Sequence, residues 1–265
     1  MRTLLSIMAI GAFTAGLLLA LIYFWQSSLI LVPGLGGGSP DLLSQCRPGS
    51  SVWEEDGKYR GKVCEPAGTA KGTIVVYHGN AGTVDDRAYL AAVLSARGFR
   101  VVLPEYPGYG RRDGKATVNK VLAASLDDFD KARAKWQGPM YVLGESFGAG
   151  VAGEVARKYG EKVDGLLLFT PWDSLVNVVN AMFPVPISFL LQQRFDTVEA
   201  LSGYHGKKVI VAAGQDEVLP VAHARALAKA VPSAAYLELK QAGHNDWPAH
   251  ITGRDWDWVI ASLTH

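Results

Sequence analysis

Apolar and polar positions divide the chain into three stretches. Leu4 to Trp25 is apolar and carries no charge, and its length is near the ~20 residues that cross a bilayer as a helix. Residues 26–50 are rich in Gly, Pro and Ser and read as a connector. From Ser51 onward short apolar runs alternate with segments of helical period. Asp56-Gly57 sits between two short runs within Val52–Lys62, which predicts a hairpin. The runs at 73–77, 100–103, 140–143, 163–169, 208–213 and 235–239 predict strands, and the unbroken apolar run at 73–77 is typical of one buried on both faces. Between them, 85–97, 116–136, 149–159, 221–230 and 247–263 have helical period. Strands separated by helices predict a mostly parallel sheet covered on both faces. Residues 171–207 break the rhythm and read as a short cap-like insertion above the sheet.

The ends of these elements carry the candidate chemistry. Ser146 lies in Gly144-Glu145-Ser146-Phe147-Gly148, between a predicted strand and a predicted helix. Glycines on either side permit a sharp strand–turn–helix that exposes the serine Oγ above the sheet. A serine hydroxyl needs a base to become a nucleophile. Of the six histidines, His78 belongs to an upstream glycine turn, His205 and His223 lie near helix boundaries, His250 falls inside the last predicted helix and His265 is terminal. His244, in Gly243-His244-Asn245-Asp246, follows the last strand, where loops at the carboxyl ends of parallel strands collect active-site groups. Asp216, after the strand at 208–213, is placed to orient that base; Glu217 is its neighbour, and Asp246 is too near His244 along the chain. The backbone N–H of Phe147 and that of Asn80, in His78-Gly79-Asn80-Ala81-Gly82, are the expected oxyanion donors, with Ala81 the alternative to Asn80.

With these motifs assembled, the chain resembles the α/β-hydrolase superfamily. More narrowly it resembles the membrane-anchored BEM46-like group, ABHD13- and ABHD17-type proteins included. The resemblance also takes in Gln26-Ser27-Ser28-Leu29-Ile30, Glu105-Tyr106-Pro107-Gly108-Tyr109-Gly110 and Pro171-Trp172-Asp173-Ser174-Leu175. It implies an α/β-hydrolase fold and a serine hydrolase of esters or thioesters that uses no cofactor or metal, with Ser146, Asp216 and His244 at the triad positions. Pro107 stands where the group has a charged residue.

Composition adds three points. A net charge of +1 gives no reason to expect nucleic acid as a partner. The long charge-free run after Arg2, ending in Ile22-Tyr23-Phe24-Trp25, reads as an uncleaved signal anchor over 1–25 rather than a cleaved leader. Arg2 places the amino terminus in the cytoplasm and the domain outside. The only cysteines, Cys46 and Cys64, read equally as a disulfide, if that side is exported, or as two buried thiols. The anchor and the apolar stretch Phe183–Leu191 point to an acyl or lipid-like small-molecule substrate. A peptidase with the same triad and a tethered, non-catalytic binding module are the rival readings.

Overall fold

The computed structural model describes residues 2–35, 41–46 and 49–264. The strands are β1 (Gly49–Glu55), β2 (Lys58–Glu65), β3 (Thr73–Tyr77), β4 (Arg100–Pro104), β5 (Met140–Glu145), β6 (Gly165–Phe169), β7 (Lys207–Ala213) and β8 (Ala235–Leu239). The helices are α1 (Arg2–Ile30), α2 (Leu42–Gln45), α3 (Ala88–Ser95), α4 (Val118–Lys135), α5 (Phe147–Tyr159), α6 (Leu175–Met182), α7 (Thr197–Ser202), α8 (Ala222–Ala230), α9 (Trp247–His250) and α10 (Gly253–Thr264).

All eight strands form one sheet in the order β1-β2-β4-β3-β5-β6-β7-β8. From β4 to β8 neighbouring strands are parallel, while β1 and β2 pair antiparallel at one edge. The hairpin between β1 and β2 turns at Asp56 and Gly57, both at positive φ, as a two-residue turn requires. The central strands alternate between two cores. Val75 and Tyr77 of β3 pack with Val142, Phe129 and Val151 on one face. Ile74 and Val76 pack with Leu143, Leu94 and Val259 on the other. Both faces being apolar explains why these strands read as continuous hydrophobic runs.

Two expectations change. The last helix is not continuous. It breaks after α9 because Thr252 and Asp255 cap a new helix: the Thr252 N–H donates to Asp255 Oδ2 (2.8 Å) and the Asp255 N–H to Thr252 Oγ1 (3.2 Å). The second change concerns residues 26–50. Helix α1 runs on to Ile30, past the expected end at Trp25. Leu31 is buried, and Val32 forms a parallel bridge with Ala81. Leu42 is buried as well, and Lys62 Nζ reaches both Asp41 Oδ1 and Asp85 Oδ1 at 2.6 Å. Cys46 and Cys64 form a disulfide, Cα–Cα 5.7 Å, that fastens the end of α2 to β2. The segment therefore packs on the domain at Leu31, Val32, Leu42 and Cys46; residues 36–40 and 47–48 of the expected connector, and His265, lie outside the described residues.

Within 171–207 the structure has α6, a 3-10 turn at Ile187–Leu190, and α7. This segment sits between β6 and β7 in the chain and lies over the carboxyl ends of the strands, beside Ser146.

Candidate active site

Ser146 is held in one unusual conformation. It follows β5, opens α5, and has φ 54° and ψ −117°, a region that costs an L-residue ~1–3 kcal/mol. Neighbouring groups impose it. The Ser146 N–H donates to Phe169 O (3.0 Å), and Trp172 Nε1 donates to Ser146 O (2.9 Å). A Cβ on Gly148 would overlap the Tyr77 carbonyl, and one on Gly144 would overlap that of Gly148. Only glycine lets helix, turn and sheet approach this closely.

The three residues expected to act together are brought together. His244 Nε2 lies 2.9 Å from Ser146 Oγ, and His244 Nδ1 lies 2.7 Å from Asp216 Oδ2. A carboxylate only accepts, so Nδ1 carries the ring proton and Nε2 is free to accept from the serine hydroxyl. Asp216 is anchored in turn: its Oδ1 accepts the N–H groups of Val218 (3.0 Å) and Leu219 (2.6 Å). Glu217 does not replace it. Glu217 Oε2 accepts the backbone N–H of His244 at 3.2 Å, while Asp246 Oδ1 accepts that of Gly243 at 2.6 Å. Both neighbours thus fix the loop rather than the ring.

Asn80, Ser146 and Phe147 line one cavity. The Phe147 N–H is at the first position of α5, where the helix itself supplies no acceptor. The Asn80 side chain is used elsewhere, Nδ2 donating to Ile30 O (2.8 Å), and the backbone carbonyl of Asn80 accepts from the Val32 N–H and the Tyr109 hydroxyl. These bonds fix the loop and leave the Asn80 N–H without a partner among the described residues. The cavity has a volume of ≈ 270 Å³ and is lined mainly by apolar side chains of α1, α6 and the 183–191 stretch, with no carboxylate among them.

Two buried polar clusters were not expected. Behind the serine, Glu145 accepts from Arg87 Nε, the Tyr89 hydroxyl (2.8 Å) and Trp247 Nε1 (3.2 Å). Burial alone would raise the Glu145 carboxyl, but the Arg87 charge and these three donors hold it below the usual range. Arg87 also donates to Ala81 O (3.4 Å), so one guanidinium spans the loops that carry Asn80 and Ser146. In the cap, Asp173 Oδ1 meets His223 Nδ1 (2.8 Å) and Oδ2 accepts from Asn177 Nδ2 (2.6 Å). Burial opposes ionisation of Asp173 as well; the bonds from Asn177, His223 and the Ser174 N–H prevail and lower it. His78, at the glycine turn, contacts Glu105 Oε1 (3.1 Å). His205 is exposed, and His250 ends α9 beside Asp246 (3.4 Å). No group of three His, Cys, Asp or Glu side chains among the described residues could hold a metal ion.

An eight-stranded sheet with a serine at a β5–α5 turn, a histidine after β8 and an aspartate after β7 is the arrangement of the α/β hydrolases. The comparisons agree. A family model described as serine aminopeptidase, S33, matches residues 68–199. Est1E from Butyrivibrio proteoclasticus, solved with ferulic acid, superposes with a TM-score of 0.68 at 16% identity, covering 81% of this chain and 100% of Est1E. An alpha-beta hydrolase from Vibrio vulnificus gives 0.63 at 18% identity, covering 81% of each chain. An uncharacterized protein of Mycobacterium tuberculosis is 30% identical over 94% of this chain and 91% of its own length. The chain has the α/β-hydrolase fold and belongs to one family with that mycobacterial protein. Lysophosphatidylserine lipase ABHD12 of Mus musculus is 33% identical over 133 residues, 47% of this chain and 33% of the lipase.

Proposed function

We infer that the protein is a membrane-anchored serine hydrolase of the BEM46-like kind, cleaving carboxylic ester or thioester bonds of acyl or lipid-like substrates. The observation that carries this is the hydrogen-bonded series Asp216–His244–Ser146 ending at an apolar cavity. In this reading Ser146 Oγ attacks the carbonyl carbon while His244 Nε2 takes its proton. Asp216 holds the ring tautomer and stabilises the imidazolium. The N–H groups of Asn80 and Phe147 receive the oxyanion. The tetrahedral intermediate collapses to an acyl-enzyme, and His244 returns the proton to the leaving oxygen or sulfur. Water, deprotonated by His244, then releases the acid and restores Ser146.

The resemblance to lysophosphatidylserine lipase over about half of this chain supports a lipid-like acyl substrate. The S33 aminopeptidase description would favour a peptide amine, yet among the described residues no carboxylate lines the cavity to take one. Residues 1–25 serve as the anchor, in keeping with an apolar, unburied helix at Thr3–Ile30 of sufficient length. Arg2 favours a cytoplasmic amino terminus, and the Cys46–Cys64 disulfide suits an exported domain. Labelling of the intact protein by a fluorophosphonate, lost in Ser146→Ala, tests the mechanism. Turnover of p-nitrophenyl esters should then rise with chain length up to the capacity of the cavity. Absence of labelling in folded protein would favour a binding module instead.

A further inference from the structure

The cavity that receives Ser146 is completed by the end of the anchor helix. Ile22, Gln26, Leu29 and Ile30 of α1 line it opposite Met182, Phe183 and Leu190 of the cap. Three hydrogen bonds clamp the two together. Gln26 Nε2 donates to Leu190 O (3.1 Å), the Gln192 N–H to Gln26 Oε1 (2.9 Å), and Gln192 Nε2 to Tyr23 O (2.8 Å). Gln26 is the long polar side chain of the final turns of α1, and both ends of its amide serve this clamp. Leu29, Met182 and Phe183 line the cavity while remaining largely exposed, so the mouth opens between α1 and the cap.

Helix length sets the depth of that mouth. A span of ~20 residues, about 30 Å at 1.5 Å per residue, counted from Leu4 ends at Tyr23. The clamp therefore holds the cap at the level where the span leaves the hydrocarbon, beside the exposed rings of Tyr23 and Trp25, which suit that boundary. The cap side is as apolar as the helix. No charged side chain occurs from Ser174 to Gln193, nor between Arg2 and Asp41. Val185 and Phe189 are 55% and 63% exposed and project from the cap without lining the cavity. An apolar rim continuous with a helix of membrane-spanning length fits a lipid leaflet.

We propose that the 183–191 rim and the last turns of α1 form a single surface seated in the leaflet that α1 leaves, and that acyl chains pass sideways from that leaflet into the cavity. The seating stands on geometry alone; what passes through it rests on the acyl-hydrolase reading. The full-length protein offers a clean probe, because both native cysteines are paired. Phe189→Cys, labelled with an NBD fluorophore in phosphatidylcholine vesicles, should show blue-shifted emission and at least twofold quenching by nitroxide-bearing lipids. Glu161→Cys, exposed in the turn before β6 at the opposite end of the strands, should show neither. Water-like emission at 189 overturns the proposal. So does shielded emission without lipid quenching, which would assign the rim to a second copy or another protein.

A paired Val185→Asp and Phe189→Asp variant should lose about tenfold in hydrolysis of a long-chain lysolipid held in vesicles. Its labelling by a soluble fluorophosphonate should match wild type. Equal loss of both readouts would assign the residues to folding and overturn the proposal. Lipid quenching at 189 together with no fluorophosphonate labelling of folded wild-type protein would leave the seating intact and remove the acyl-hydrolase reading.

Discussion

The floor and the roof of the cavity are built in opposite ways. Beneath Ser146 the central strands are buried, apolar on both faces of the sheet, and the turn is fixed by close backbone approach. Glu145, directly behind the serine, is satisfied by three donors. Above it, the cap consists of short helices with exposed apolar side chains, tied down by a few polar contacts at Asp173, Gln26 and Gln192. Strain at Ser146 persists because its surroundings over-determine it, and most of those constraints lie in the floor. The roof adds one bond, from Trp172 Nε1 to Ser146 O, and otherwise encloses an apolar cavity.

The sharpest test of this contrast removes the chemistry. Ser146→Ala or His244→Ala should lower kcat by about 10⁴–10⁶-fold, and Asp216→Asn by about 10⁴-fold, without changing Tm by more than a few degrees. Full activity in Ser146→Ala would end the mechanism. Next is the floor itself: Gly148→Ala drives a methyl into the Tyr77 carbonyl and should yield no soluble folded protein on expression. Arg87→Met strands the Glu145 charge and should cost about 3–5 kcal/mol in chemical denaturation at neutral pH. The sign with pH follows from the lowered Glu145 carboxyl. The pair stabilises the fold above the ordinary carboxylate range and is lost as pH falls through the lower folded value. The gap between wild type and Arg87→Met should therefore narrow in acid. In the roof, Asp173→Asn weakens a contact at the edge of the cap and should cost about 1–2 kcal/mol, with the larger change in KM. Smallest is Gly153→Ala in α5. Its methyl would meet Ala200 and Thr197 at 3.6 Å, ordinary contact, and should raise stability by up to about 1 kcal/mol.

The floor was also the more legible region. Strands buried on both faces announce themselves as unbroken apolar runs, and glycines at 144 and 148 mark a turn that few other contexts require. Chain order then leaves His244 and Asp216 as partners at strand ends. What escaped was pairing at a distance. Nothing local joins Arg87 and Tyr89 to Glu145 and Trp247, or Asp173 to His223, because each pair meets only once the sheet has formed. The break in the last helix was readable: Thr252 and Asp255 have the spacing of a capping box, masked by the apolar period running through it. The Gly, Pro and Ser content of residues 26–50 hides the end of α1 at Ile30, where Gln26 faces a cavity rather than water.

Preparative work often begins by deleting an apolar amino-terminal helix. Here that shortcut would change the object of study. A cut after Ile30 removes the carbonyl that holds the Asn80 side chain and one wall of the cavity. A cut before Ser51 also discards Cys46, leaving Cys64 as a lone thiol in the core. Rates measured on such a fragment would describe an enzyme with an open-sided pocket, and protein that keeps α1 is the appropriate starting material.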